Sequence, residues 1–144
     1  MPVSRAMRRL QQVLEIQERE CLAAMESARA ELTRLEQALT RSAARERGGR
    51  LLVAASATTG EVIDRIAGME ETRTARRIAA ALEPRIAAAQ TALDAMRREF
   101  LSKRIERRQT ETLIEEAEAA DKVEAARRAQ KNLDDWFLSW RGRT

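Results

Sequence analysis

The chain has 144 residues, with 24 Arg, 3 Lys, 18 Glu and 5 Asp for a net charge of +4, and Ala, Leu, Glu, Lys and Arg together make 86 of them, the composition of a long helix or coiled coil. With no His, one Cys and four aromatic residues, it lacks the commonest general base and cannot build an internal disulfide or a thiolate metal cage, so neither catalysis nor a metal or cofactor is expected. No apolar run approaches the roughly 18 residues of a membrane span, and the basic start from Met1 to Arg9 leads into Leu10-Gln11-Gln12 and not into an apolar signal core, so a reducing, cytoplasmic location without membrane insertion is expected. The excess of Arg over Lys beside so much Ala is what a GC-rich bacterial genome would encode.

Apolar residues at the start fall at Val3, Met7, Leu10, Leu14, Cys21, Ala24, Ala28, Leu32, Leu35 and Leu39, with Gln17 filling one position. These steps of three and four form a coiled-coil seam. The consecutive four-residue steps Ala24, Ala28, Leu32 predict a stutter that locally unwinds the supercoil. Pro2 suits a first helical turn, and no Gly or Pro follows until Gly48 and Gly49. A first helix is therefore expected over residues 2–47, about 70 Å long at 1.5 Å per residue.

Over residues 48–60 the composition shifts to Gly, Ser, Thr and small apolar residues, and this stretch is predicted as the single break, with Leu51 to Ala55 still open to a helical turn or two. Thr58 or Thr59 offers an N-cap to a second helix over 61–141, whose seam runs through Val62, Ile66, Met69, Ile78, Leu82, Ile86, Ala89, Leu93, Met96 and Phe100. Pro84 costs roughly 3 kcal/mol in a helix interior and predicts a kink or short break near Glu83. Between Glu106 and Asn132 only Leu113, Ile114 and Val123 are large and apolar. Leu133, Trp136, Phe137 and Trp140 then share one helical stripe, and Gly142 can stop the helix.

These elements predict an all-α fold, a two-helix antiparallel coiled-coil hairpin, formed by residues 1–144 as one domain and monomeric when free. Folded about 48–60, it would oppose residues whose numbers total about 110: Leu10 with Phe100, Leu14 with Met96, Cys21 with Ala89, Leu32 with Ile78. Val3 would then reach about Arg107, and about 30 residues of the second helix, or 45 Å, would overhang.

Trp136, Phe137 and Trp140 are costly to leave in water. They read either as a helix end folded back on its own hairpin or a second copy, or as a docking tip, and the missing helical partner favours docking. The basic run Arg97, Arg98, Lys103, Arg104, Arg107, Arg108 precedes an acidic run of Glu111, Glu115, Glu116, Glu118, Asp121 and Glu124. The two blocks read either as a solvated helix with intrahelical pairs or as bands that set register inside a charged partner, with Arg107 and Arg108 as contacts. The acidic run and the lack of interleaved aromatics argue against nucleic acid. Cys21 reads as a small seam hydrophobe. Gly48-Gly49 lacks the Lys-Ser/Thr of a phosphate loop, and Glu115, Glu116 and Glu118 receive no catalytic role.

The run Arg127-Arg128-Ala129-Gln130-Lys131-Asn132-Leu133-Asp134-Asp135-Trp136-Phe137 resembles the end of the FliJ family of flagellar export proteins, whose second helix closes with Gln-Lys-x-hydrophobic-Asp-acidic-aromatic. Gln130, Lys131, Leu133, Asp134, Asp135 and Trp136 occupy those places. The length, the single mid-chain break, the unequal helices and the start Leu10-Gln11-Gln12-Val13-Leu14-Glu15 are also similar to FliJ and its injectisome relatives of the YscO type. The resemblance implies a hairpin similar to the central stalk of rotary ATPases, with joined ends that enter the hexameric export ATPase and promote its assembly. It further implies contact with the export-gate membrane protein and handling of empty export chaperones, at a site peripheral to the inner membrane. The family's gate-contacting residues lie near its mid-chain break and are partly aromatic; this chain has no aromatic there, so none is carried over. The alternative is a generic coiled-coil scaffold or adaptor, a parallel homodimer with no ATPase partner.

Overall fold

The computed structural model describes residues 3–143, which form two helices, α1 (Arg5–Thr59) and α2 (Val62–Arg141), and no strand. They run antiparallel as an all-α helical hairpin. Ser4 opens α1, its Oγ accepting the Met7 N–H at 3.1 Å as an N-cap side chain does; Pro2 lies outside the described residues.

The expected break over 48–60 contracts to Gly60 and Glu61. Gly60 adopts φ +74° and donates its N–H to the Ser56 carbonyl at 2.8 Å, a left-handed helix stop that a residue without Cβ adopts at no steric cost. The Glu61 carbonyl then accepts the Arg65 N–H at 3.3 Å. The neighbouring Asp64 carboxylate holds the Glu61 carboxyl above its ordinary range. Thr58 and Thr59, expected to cap the second helix, end the first one instead, with Thr59 Oγ1 bonded to the Ala55 carbonyl.

Two compact units make up the hairpin, Cys21–Glu99 around the turn and Met1–Glu20 with Phe100–Thr144 at the helix ends. Inside the first, Gly49 lies against Gly68. A Cβ added to Gly49 would sit 2.7 Å from the Gly68 carbonyl oxygen, and one added to Gly68 would sit 2.6 Å from that of Gly49. Seven residues away along each helix, the buried Ser42 Oγ donates to the Ala75 carbonyl at 2.6 Å. Both pairs total 117, not 110. The ion pairs Arg45–Glu71 (2.6 Å) and Glu46–Arg76 (2.9 Å) flank them.

Seven-residue steps carry the seam without a stutter. Along α1, Leu14, Cys21, Ala28, Leu35, Ser42, Gly49 and Ser56 are all buried or half-buried, as are Gly68, Ala75, Leu82, Ala89 and Met96 along α2. A strict 3.5-residue repeat keeps one face toward the partner helix, and Ala24, assigned to a stutter, is exposed. Of the expected seam residues, Leu14, Leu35, Leu82 and Leu93 are buried, while Cys21, Ala28, Leu32, Leu39, Ile78, Ile86, Met96 and Phe100 are half-buried. Leu10 is half exposed, at 50%, because Leu14 and Gln11 occupy the inward positions of its turn. Helix α2 passes unbroken through Pro84, which is exposed, so solvent can reach the carbonyl that loses its helical donor.

At the helix ends, Glu18 pairs with Arg107 and Arg8 with Glu118, where the totals of about 110 would have placed Val3 against Arg107. The reason is the turn. Moving its centre from about residue 55 to Gly60-Glu61 raises the totals of opposed residue numbers above 110: 117 for Gly49 with Gly68, and 125 and 126 for the ion pairs Glu18–Arg107 and Arg8–Glu118. The seam there closes on Leu14, Thr110 and Ile114, all buried.

Substitutions along α1 test this packing. Gly49→Ala should destabilise the hairpin by about 1–3 kcal/mol through overpacking. Gly48→Ala, with nothing within 4 Å of its added Cβ, should stabilise by up to about 1 kcal/mol through helix propensity. Leu35→Ala, at a site only 3% exposed, should cost about 2–4 kcal/mol, and Leu10→Ala about 0.5 kcal/mol or less. Urea melts of the four variants read all four shifts; equal effects for Gly48 and Gly49 would contradict the backbone contact.

Candidate docking surface at the end of α2

Beyond Asp121 every described residue is exposed, from Lys122 to Arg143. The helical part of this arm, Lys122 to Arg141, is 20 residues, or about 30 Å at 1.5 Å per residue, shorter than the expected 30 residues because the turn lies later in the chain. Local contacts hold it: Glu124–Arg128 at 3.4 Å, Gln130 Nε2 to Asp134 Oδ1 at 3.0 Å, and Gly142 N–H to the Leu138 carbonyl at 3.1 Å. The Trp136 and Phe137 rings meet edge to face, centroids 5.4 Å apart and planes at 79°, a favoured aromatic geometry. Trp136 is nevertheless 60% exposed, with Leu133, Phe137, Leu138 and Trp140 exposed beside it.

The frame of this stripe separates it from the seam. Sevenfold steps from Thr110 lead to Ala117, Glu124, Lys131 and Leu138, and from Ile114 to Asp121, Arg128 and Asp135. The inward face thus turns charged on leaving the hairpin. Leu133, Trp136, Phe137 and Trp140 belong to neither row; they follow Ala126 and Ala129 at helical spacing on another side. A longer α1 in the same register would meet Glu124, Arg128, Lys131 and Asp135 and leave the aromatics in water.

The structure brings Gln130, Lys131, Leu133, Asp134, Asp135, Trp136, Phe137 and Trp140 together on the arm, all exposed. Arg107 and Arg108 are not part of it. Arg107 bonds Glu18 through Nε and Glu111 through Nη1 at 2.6 Å, and the two carboxylates, Glu18 foremost, hold its guanidinium above its ordinary range. Its side chain is 21% exposed and that of Glu18 only 16%, so this charge is committed inside the hairpin. Arg108 is exposed. The charge bands therefore act on α1, the basic band meeting Glu18 and the acidic band meeting Arg8 through Glu118. The sequence reading placed Leu10 on the seam and assigned no face to Val13 and Ile16 of α1 or to Leu101, Ile105 and Leu113 of α2, all of them exposed; their steps of three and four signalled a helix face without saying which side faced inward.

Among the described residues no group of three or more His, Cys, Asp or Glu could hold a metal ion, and no helix is long and apolar enough to cross a membrane. The arm presents an exposed helix that a partner can grip.

Charge exchange tests the role of Arg107. Glu18→Arg and Arg107→Glu should each lower the melting temperature, more so at low salt, and the double exchange should recover most of the loss, while Arg108→Glu should leave melting unchanged. Recovery absent from the double variant, in thermal melts followed by circular dichroism, would mean that the pair does not act as a unit.

No known protein family, curated protein or solved structure matches the chain.

Proposed function

We propose that the chain is a non-enzymatic, stalk-like component of a bacterial type III protein export apparatus, flagellar or injectisome, acting at the cytoplasmic side of the inner membrane. Its α2 arm enters the hexameric export ATPase, promotes ring assembly and couples the ring to the export gate and to chaperone handling. One observation carries this reading: the arm from Lys122 to Arg143 is exposed throughout and bears an aromatic stripe outside the hairpin's frame. The likeness of Gln130-Lys131-x-Leu133-Asp134-Asp135-Trp136 to the end of FliJ and YscO proteins supplies the partner. A lone helix with Trp and Phe on one side is satisfied by a hydrophobic sleeve, and aromatic anchors in a desolvated centre carry most of the energy of such contacts.

The two helices supply stiffness and the arm supplies the grip. With Arg107 held in the hairpin, insertion depends on the stripe and on the exposed charges around it, Arg128, Lys131, Asp134 and Asp135.

Replacing Trp136, Phe137 and Trp140 together by Ala should weaken capture of the export ATPase by about 100-fold, as loss of two or more hot-spot anchors does, and remove its stimulation of ATP hydrolysis. Circular dichroism and melting should stay within a degree or two of the parent, since the three side chains are exposed. Truncation after Asp121 should behave the same way. An ATPase stimulated as before by the triple variant overturns the proposal. A triple variant whose mass falls from dimer to monomer would replace it with the homodimeric scaffold.

A further inference from the structure

A second surface lies in the unit around the turn. Arg50 and Val53 of α1 and Met69, Arg73, Arg77 and Ala80 of α2 border an open groove of about 630 Å³. The close approach of Gly49 and Gly68 brings the two backbones together here, so the valley between them is walled by side chains that reach outward. Its Thr72 hydroxyl is already bonded to the Gly68 carbonyl at 2.9 Å and asks nothing of a ligand.

Two chemistries alternate along the groove. Val53, Met69 and Ala80 give an apolar floor, with Met69 half exposed. Arg50, Arg73, Arg76 and Arg77 give four guanidiniums, against which the chain sets two carboxylates: Glu46 Oε1, gripped by Arg50 at 2.7 Å and by Arg76 at 2.9 Å, and Glu70, 3.3 Å from Arg73. Arg77 has no ion-pair partner among the described residues. The Glu46 contacts show the ligand these cations take: a carboxylate met by more than one guanidinium, a charge-assisted contact about twice as strong as a neutral one.

We infer that this groove is a docking site for an acidic amphipathic helix of a partner protein, its apolar side on Val53, Met69 and Ala80 and its carboxylates on Arg73 and Arg77. Met69 to Ala80 spans about 16 Å, three helical turns at 1.5 Å per residue, which matches a short helix laid in a groove better than a compact anion. A phosphate or a nucleic-acid backbone would leave the thioether and valine floor without a partner, whereas leucines on one face of a helix would cover it. The inference concerns the unit around the turn and is independent of the export reading, which rests on the arm.

The test uses the full-length chain and a fluorescein-labelled helical peptide of Leu and Glu with Leu at i, i+3, i+4 and i+7, followed by anisotropy. A scrambled peptide of the same composition and a Leu/Lys peptide of the same pattern serve as controls. Saturable one-to-one binding of the patterned acidic peptide alone is expected. Arg73→Ala with Arg77→Ala should weaken it by about tenfold or more, as loss of charged hydrogen bonds does, and Met69→Glu by a similar factor, with helical content unchanged. Replacement of Trp136, Phe137 and Trp140 by Ala should leave this binding intact, so its failure and that of the export reading are told apart. Equal binding of the scrambled peptide, no saturable binding, or indifference to both sets of variants overturns the proposal. Displacement of the peptide by a single-stranded oligonucleotide at equal concentration also overturns it, and assigns the groove to nucleic acid.

Discussion

Two glycines that let one backbone rest against another set the geometry of the turn-proximal hairpin. Gly49 and Gly68 each leave room for the other's carbonyl oxygen and for no added carbon, so only this pairing allows the helices to come so close. Ser42, one heptad away, can then reach the Ala75 carbonyl. A shift of the register by one residue would lose both contacts at once. The two-residue connection at Gly60-Glu61 follows from the same closeness, because helices whose backbones touch need little chain to span the gap. Propensity points the other way: each interior glycine costs a helix roughly 1 kcal/mol relative to alanine, and tertiary contact outweighs that cost at Gly49.

The same pair explains why the hairpin was legible in the sequence while its register was not. Long apolar residues at Leu14, Leu35, Leu82 and Leu93 mark the seam, and all four are buried. Between them the inward rows carry Ser42, Glu46, Gly49 and Ser56, too small or too polar to mark a seam, and the last two fall in a stretch whose residue types read as a loop when judged one at a time. Gly48 and Gly49 look alike in the chain, yet one has open space and the other a backbone against it. Reading both as a break moved the turn back by about half a dozen residues, and every opposed pair moved with it. The exposed arm survived this error because it was inferred from depletion of apolar residues after Ile105 as well as from register; its length did not, because that depended on where the turn sits. Arg107 was misplaced for a related reason. A sequence shows which charges stand near one another along one helix, but Glu18 lies 89 residues away.

Electrostatics divides the surface by task. Cross-helix pairs at Arg8, Glu18, Arg45 and Glu46 tie α1 to α2, and their carboxylates answer to guanidiniums: Arg76 foremost, then Arg50, holds Glu46 below its ordinary range, and Arg45 does the same for Glu71. The more exposed of these, at Arg8, Arg45 and Glu46, add little stability singly and serve to match one helix to the other, whereas Glu18–Arg107 is largely covered. On the arm Glu124 pairs with Arg128 and Gln130 donates to Asp134, both within α2, and the aromatic stripe stays uncovered.

A helix of some 20 residues in water would hold together poorly by itself, since its first turn must fix several dihedral angles for one hydrogen bond. The arm escapes that step because α2 enters it already wound from a packed hairpin. Melting must therefore begin at the free tip, and fraying reaches furthest into the last turns, where Trp136, Phe137 and Trp140 stand. The N–H groups of Gly142 and Arg143 close the tip on the Leu138 and Trp140 carbonyls at 3.1 and 3.2 Å, bonds that span only the last turn. Any partner that seizes the stripe immobilises the part of the helix with the most freedom to lose, so its affinity is lowered by the entropy of that ordering. A better stop at the tip would tighten the grip without touching a single contact residue.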